Sequence, residues 1–142
     1  MSKSRPAGYS GTPLAKKLGA KAGETVALIG APAFMTQVVR DADATPSVVK
    51  NAKNVKPGAT FVHLFTAEAK TLKAALPALK AAIVSNGVIW VSWPKKASKV
   101  STDITEDTIR KLALPIDLVD VKVCAVDDFW SGLKLMIRKE KR

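Results

Sequence analysis

Three segments of the chain, residues 25–29, 60–65 and 88–93, are apolar almost without interruption. Runs of this kind are typical of strands that are buried on both faces, and such strands belong to parallel sheets covered by helices. Gly30 follows the first run and Pro94 follows the third, and both residues favour a break. The pattern therefore predicts three buried parallel strands.

Two helices are marked by start and stop signals. Thr12 followed by Pro13 predicts an N-cap and first-turn pair, and Gly19 is placed to close that short helix in a left-handed conformation. Thr105 predicts the cap of a later helix, which we expect to end at Leu114 because a proline follows.

A longer helix is predicted between the second and third apolar runs. Thr66 is the expected cap, with Glu68 in the first turn, and residues 86–87 are expected to end the helix. Pro77 predicts a kink because proline lacks an N–H group and crowds the preceding turn. The apolar stripe has alternating spacings of three and four: Ala69, Leu72, Leu76, Leu79 and Ile83.

Two segments allow less definite predictions. Residues 33–39 fit one helix, whereas residues 47–49, after Pro46, fit either a short strand or a helical turn. Near the C-terminus, alternating apolar residues predict an antiparallel hairpin with one wet face, joined by a turn over residues 127–132. The expected core-facing residues are Val119, Val121, Val123, Ala125, Leu133, Leu135 and Ile137.

The order of elements predicts a truncated, Rossmann-like α/β fold with a mostly parallel sheet, helices on both faces and a C-terminal antiparallel hairpin. Residues 1–8 are polar and contain proline and glycine, so we expect a mobile leader there and a single domain over residues 9–142. A length of 142 residues suits one domain with its own core.

Charge is the one unusual feature of the composition. The 142 residues carry 23 Lys and Arg against 12 Asp and Glu, a formal net charge of +11. This balance favours an anionic partner such as nucleic acid, a nucleotide or phosphate, or it is simply a solvated lysine-rich surface. Cys124 is the only cysteine, which fits a cytoplasmic protein without disulfides, and no apolar run is long enough to predict a membrane span.

Ligands of open α/β sheets bind beyond the carboxyl ends of the strands. The candidate ligand-binding residues at those ends are Gly30, Ala31, Pro32, Thr66, Glu68, Trp93, Lys95 and Lys96. Trp93 beside two lysines could stack on a base and pair with a phosphate, or it could simply cap the core.

Other chemistry-bearing residues have simpler interpretations. His63 lies inside a buried strand, where a lone histidine is more often a core residue than a base. Cys124 has no activating partner in the sequence, and Asp127 with Asp128 fits a turn better than an acid–base pair. One histidine and one cysteine do not predict a metal site.

The arrangement, with its terminal hairpin, resembles the catalytic domain of class I S-adenosylmethionine-dependent methyltransferases. That resemblance implies a glycine-rich cofactor loop after the first strand, preceded by an acidic residue. Only Gly30 matches, because Leu28 stands at the place of the acid and Pro32 at that of the second glycine. S-adenosylmethionine is therefore a possible but disfavoured cofactor.

The segments GYSGTPLAKKLG, HLF, WVSWPKKAS, TDITED and LVDVKVCAVDDFWSGLKLMIRK more closely resemble a family of small bacterial proteins whose shared domain has no assigned activity. Three functions remain open. The first is a noncatalytic domain that binds a small anionic ligand or a macromolecular partner at the carboxyl edge of the strands. The others are a methyltransferase-like enzyme with a degenerate cofactor loop and a nucleic-acid-binding protein that acts through its net charge.

Overall fold

A computed structural model describes residues 13–142 of the chain. The predicted leader over residues 1–8 lies outside this part. Six strands and four α-helices follow one another within residues 13–142: α1 (Leu14–Leu18), β1 (Thr25–Ile29), α2 (Met35–Asp41), β2 (Thr45–Val49), β3 (Ala59–Phe65), α3 (Ala69–Ala82), β4 (Ile83–Pro94), α4 (Glu106–Ala113), β5 (Leu118–Ala125) and β6 (Trp130–Ile137).

The strands form one sheet in the order β2-β1-β3-β4-β6-β5. The three apolar runs are β1, β3 and β4, and they are adjacent and parallel, as predicted. The segment whose structure the sequence left open is a strand, because β2 pairs in parallel with the outer side of β1. Strand β6 is antiparallel to both β4 and β5, so the predicted α/β fold with a C-terminal hairpin is confirmed.

Helices cover both faces of the sheet. On the first face, α3 and α4 bury leucine and isoleucine side chains such as Leu72 and Ile109 against β1, β3, β4 and β6. On the second face, α1 and α2 bury Leu14, Leu18 and Met35 against β1, β3 and Trp90 of β4. Burial of one such side chain contributes roughly 1.5–3 kcal/mol, so these two layers supply most of the stability.

Strands β2 and β3 are joined by a short segment without an α-helix. Residues 50–58 contain only the 3-10 turn Ala52–Asn54, in which the side chain of Asn51 accepts a hydrogen bond from the Lys53 N–H. Ala52 and Val55 of this segment reach the core of the first face. The first face of β1 and β2 is therefore covered by a turn where a full crossover would supply a helix.

Helix α3 differs from its prediction at both ends. Thr66 is not its cap, since Glu68 is the N-cap residue and makes no side-chain capping bond. The helix continues through Pro77 to Ala82, because a proline is tolerated where packing of a buried face holds the flanking turns.

The prediction that residues 86–87 end this helix is wrong. Strand β4 already begins at Ile83, and Gly87 lies within it where the pairing with β3 shifts register. A Cβ atom at Gly87 would lie 2.8 Å from that of Ile83, so the irregular backbone requires glycine. The stripe residue Ile83 is consequently buried as part of a strand.

The hairpin departs from strict alternation in β5. Val121 and Val123, which were expected to face the core, are 50% and 51% exposed, whereas Leu118 and Cys124 are buried. The cause is a register shift between Asp120 and Lys122 that inserts one extra residue and moves the following side chains to the other face. In β6 the prediction is confirmed, and the strand begins at Trp130, so the turn is shorter than expected.

Helix α1 ends at Gly19 as predicted, and this glycine has φ of 86°, a left-handed conformation that suits glycine. Its N-cap is Pro13, one residue later than expected, and Thr12 lies outside the described residues. Thr105 caps α4 as predicted by accepting the Thr108 N–H at 3.2 Å. No helix within residues 13–142 is long and apolar enough to cross a membrane.

Candidate functional site

A cleft of about 510 Å³ lies at the carboxyl ends of β1, β2 and β3, where it is bounded by the first half of α3. Its volume lies within the range of small-molecule sites, roughly 300–1,000 Å³. The apolar surface of the cleft comes from both sheet and helix: Ile29, Gly30, Ala52, Leu64, Phe65, Ala74, Ala75 and Ala78. The cleft exists because no helix covers this part of the first face.

Three lysines border the cleft, one from each surrounding element. Lys50 follows β2, Lys53 lies in the 3-10 turn, and Lys70 stands in the first turn of α3. All three side chains are exposed, and none takes part in an ion pair within residues 13–142. The described lining contains no Asp, Glu, His or Cys, so the cleft combines an apolar floor with a positive rim.

Gly30 shapes the floor at the end of β1. Its φ is 66°, and a Cβ atom there would lie 2.6 Å from the carbonyl oxygen of Phe65 in β3. Glycine is therefore required by close contact between two strand ends. Ala31 packs against the core of the second face, and the carbonyl of Pro32 accepts the Met35 N–H, so these two residues lead away from the cleft.

Thr66 and Glu68 lie beside the cleft but do not line it. The Thr66 hydroxyl accepts the Glu68 N–H at 3.2 Å, and the Glu68 carboxylate accepts a bond from Thr71. Asp103 supplies a further carboxylate here, because its Oδ1 accepts the Ala69 N–H at 2.7 Å. The start of α3 is thus occupied by the protein's own acids, and it is a poor place for an added anion.

Three of the predicted residues, Trp93, Lys95 and Lys96, lie apart from the cleft. Trp93 is only 7% exposed and belongs to the core of the first face, so its ring is not available for stacking. Lys95 and Lys96 follow β4 on the far side of β3. Of the eight predicted residues, only Gly30 lines the cleft.

His63 is a buried core residue. Its Nε2 and the Ser92 hydroxyl are hydrogen-bonded at 2.7 Å, and its ring stacks on Phe65 at a centroid distance of 4.2 Å. Nδ1 has no partner within residues 13–142. Complete burial lowers the pKa of His63 to about 3, so the ring is neutral at physiological pH and does not face the cleft.

Cys124 and Asp127 also have structural roles. Burial raises the pKa of the Cys124 thiol, which opposes nucleophilic chemistry, although nearby lysines act in the other direction. Asp127 is buried and its Oδ1 accepts the N–H groups of Phe129 and Trp130, which builds the turn of the hairpin. The predicted turn-forming role of Asp127 agrees with these bonds.

A larger hollow of about 700 Å³ lies near the amino ends of β1 and β3. It is bordered by Lys21, Lys56 and Glu24, but the Glu24 carboxylate already accepts bonds from the Lys21 N–H and the Thr60 hydroxyl. Ligands of open α/β sheets bind at carboxyl ends, and the lysines there have no opposing acid, so the cleft is the better candidate.

No family model and no curated protein matches the chain. Solved structures of similar fold include a SAM-dependent methyltransferase from Aquifex aeolicus, with TM-score 0.63, 15% identity and 86% of each chain covered. Another is a putative type 11 methyltransferase from Sulfolobus solfataricus, with TM-score 0.57, 12% identity and coverage of 97% of this chain and 95% of that one.

A third similar structure is an O-methyltransferase from neocarzinostatin biosynthesis in complex with S-adenosylmethionine. Its TM-score is 0.60 at 12% identity, with 80% of this chain and 48% of that chain covered. Identities this low show a common fold and nothing about activity. The resemblance to the methyltransferase fold is therefore confirmed, and the chemistry must be argued from the cleft.

Proposed function

We propose that the protein binds a small phosphate-bearing ligand in the cleft and does not itself supply acid–base or nucleophilic groups. The observation that supports this is the rim of Lys50, Lys53 and Lys70 around a floor of apolar residues with no acid in its described lining. Lysine ammonium groups bind phosphate as point charges, and an apolar floor suits the flat face of a base.

The position of Lys50 supports an anionic ligand in particular. It follows β2 about 20 residues after Gly30, the place where dinucleotide-binding sheets carry the acid that accepts bonds from ribose hydroxyls. A basic residue in that region accommodates a phosphate instead. Lys50 therefore favours a ligand with a phosphate at this end of the cleft over one that presents a free diol.

Calorimetric titration with adenosine, AMP, ATP and inorganic tripolyphosphate tests the proposal. Affinity should increase with phosphate number, and tripolyphosphate should bind more weakly than ATP because it lacks the base. Substitution of Lys50, Lys53 or Lys70 by Gln should weaken ATP binding at least tenfold each, since a hydrogen bond to a charged group contributes roughly 1.5–3 kcal/mol.

Lys73→Gln is the matched control, because Lys73 is exposed on the same helix as Lys70 but does not border the cleft. It removes the same charge and should leave ATP affinity unchanged. If ATP and tripolyphosphate give no heat, or if Lys73→Gln weakens binding as much as Lys70→Gln, the cleft is not a phosphate site.

The second candidate is a methyltransferase-like enzyme, and the shared fold with S-adenosylmethionine-dependent enzymes is the observation that favours it. S-adenosylmethionine carries a sulfonium and an amino group against one carboxylate, so its net charge is positive and a rim of lysines should repel it. Titration with S-adenosylmethionine and S-adenosylhomocysteine decides between the two. Binding of either at micromolar concentration would favour the enzyme.

A variant that fills the cleft shows where any such ligand binds. Gly30→Trp is unsuitable because a Cβ at that position would already meet the Phe65 carbonyl. Ala74→Trp is better, since Ala74 is exposed on α3 and borders the cleft. It should abolish binding of ATP under the first proposal or of S-adenosylmethionine under the second, with an unchanged thermal melt.

A further inference from the structure

A second set of lysines lies on the face of the sheet opposite to the cleft, around α1 and the hairpin. Lys122 of β5 and Lys134 of β6 are directly opposed cross-strand partners. Lys134 is in turn opposite Trp90 of β4, which is buried beneath α1. Opposed residues of neighbouring strands project from the same face, so both lysines share the face that α1 covers.

Helix α1 brings further positive charge to the hairpin lysines. The ammonium group of Lys122 donates a 3.0 Å hydrogen bond to the carbonyl oxygen of Lys17, in the last turn of α1. Lys17, Lys122 and Lys95 are all near enough to act on the Cys124 thiol, and Lys122 and Lys21 act on Lys134. We call this set the lysine face: Lys17, Lys21, Lys95, Lys122 and Lys134.

No ion pair within the described part of the chain neutralises the lysine face. Every ion pair within residues 13–142 involves Arg110 or Arg138 instead. Two of the nearby acids have other partners, since Glu24 accepts the Lys21 N–H and the Thr60 hydroxyl, and Asp127 accepts two backbone N–H groups of its own turn.

This arrangement is unfavourable for folding. Like charges directly opposite on neighbouring strands repel each other and destabilise the sheet. Burial lowers the pKa of Lys134, and the charges of Lys122 and Lys21 lower it further. The hydrogen bond from Lys122 to the Lys17 carbonyl offsets part of this cost, and an external anion that spans several lysines would relieve the rest.

Aromatic rings adjoin the lysine face at the tip of the hairpin. The backbone carbonyl of Phe129 accepts the backbone N–H of Lys95 at 2.8 Å, which holds the backbones of these two residues together. Phe129 and Trp130 are partly exposed and lie 5.1 Å apart between ring centroids. Stacking surfaces next to positive charge are the usual features of sites for single-stranded nucleic acid.

We propose that the lysine face binds single-stranded nucleic acid through its phosphates, with Phe129 as a stacking surface for a base. Binding of this kind is independent of sequence and falls steeply with salt, because each neutralised phosphate releases counterions. An acidic protein would match the charge equally well but would make no use of the partly exposed Phe129 ring. The proposal is independent of ligand binding in the cleft, which lies on the other face.

Fluorescence anisotropy with a labelled 20-nucleotide oligouridylate, between 50 and 200 mM NaCl, tests the proposal. The double variant Lys122→Gln/Lys134→Gln should bind at least tenfold more weakly at 50 mM NaCl. The slope of log K against log salt should become shallower by about 1.4, at roughly 0.7 per phosphate contact for single strands. Phe129→Ala should weaken binding several-fold and leave the slope unchanged.

The control is Lys73→Gln/Lys111→Gln, which removes the same charge from exposed positions on α3 and α4. It should keep at least half of the wild-type affinity. ATP binding should be unchanged in Lys122→Gln/Lys134→Gln, so failure of this proposal is separable from failure of the cleft. Thermal melts should show that this variant is folded and close to wild type in stability, because it relieves a repulsion between opposed lysines but loses the bond from Lys122 to the Lys17 carbonyl.

Three results would overturn the proposal. The first is no binding of the oligonucleotide at 50 mM NaCl, and the second is an equal loss in both double variants, which would indicate net charge without a localised surface. The third is equal or tighter binding of polyglutamate or of anionic phosphatidylserine vesicles under the same conditions, which would assign the lysine face to a protein or a membrane partner.

Discussion

The indole Nε1 of Trp90 donates a 3.0 Å hydrogen bond to the carbonyl oxygen of Leu18, a residue 72 positions earlier in the chain. The bond satisfies a carbonyl at the end of α1 and fixes this short helix on the second face of the sheet. Trp90→Phe should therefore lower the free energy of unfolding by about 1–3 kcal/mol beyond the loss of packing, since it leaves a carbonyl without its donor.

Trp93→Phe is the control for that prediction. Trp93 is also buried, but its indole nitrogen makes no hydrogen bond within residues 13–142. Chemical denaturation of the two variants should show a clearly larger loss for Trp90→Phe. Equal losses would mean that the bond to Leu18 contributes nothing beyond ring volume.

Gly30 and Gly19 make a second matched pair, because both have positive φ and only one is crowded. At Gly19 nothing lies within 4 Å of an added Cβ, whereas at Gly30 the Phe65 carbonyl oxygen lies 2.6 Å away. Gly19→Ala should cost about 1–2 kcal/mol from backbone conformation alone. Gly30→Ala should cost at least twice as much by urea denaturation, and similar costs for both would show that the strand ends can separate.

Because folded His63 is neutral, the free energy of unfolding should depend on pH and fall in acid. Its pKa is 6.5 in an unfolded chain and about 3 in the folded protein, so between these values the unfolded state binds the extra proton. The stability that His63 contributes is complete above pH 6.5 and is lost as the pH falls towards 3. The slope approaches about 1.4 kcal/mol per pH unit within this window.

His63→Gln removes this titration and retains a side-chain amide that can bond to Ser92. Urea denaturation at pH 7, 5.5 and 4 should show a smaller decline in stability for the variant than for wild type. The difference between the two proteins isolates His63, because the carboxylates titrate equally in both. Parallel pH profiles would indicate that His63 is already protonated or exposed in the folded protein.

Asp103 connects the loop before α4 to the start of α3, through its 2.7 Å bond from the Ala69 N–H. Asp103→Ala should cost about 1 kcal/mol, the usual contribution of a helix cap. Asp128→Ala, at an exposed position in the hairpin turn, should cost less than half of that. Thermal denaturation of the two variants checks the prediction. An equal loss of stability in both would mean that Asp103 does not cap α3.

The sheet could be predicted from the sequence because β1, β3 and β4 are buried on both faces and therefore read as continuous apolar runs. Which side chains of β5 point towards the core could not be predicted. A single extra residue near Val121 reverses which side chains point inward, and nothing in the alternation of valines with polar residues signals that insertion.

The cleft was missed for a related reason. Lys50 and Lys53 lie in the segment whose structure the sequence left open, and Lys70 lies on a helix whose polar face looks like ordinary solvated surface. Their convergence depends on the absence of a helix between β2 and β3. The side chain of Trp93 points into the core and is not available for stacking on a base. The continuous apolar run of β4 does not show which of its side chains are covered.

The sheet has two edge strands, β2 on one side and β5 on the other. Each edge strand exposes valine, and Val48 of β2 is 72% exposed. Copies of the chain could therefore pair through these edge strands. Pro46 in β2 lacks an N–H donor, and β5 carries the extra residue and the charge of Lys122. These features interrupt the regular hydrogen-bonding pattern of the two edge strands, and they therefore oppose edge-to-edge aggregation at high protein concentration.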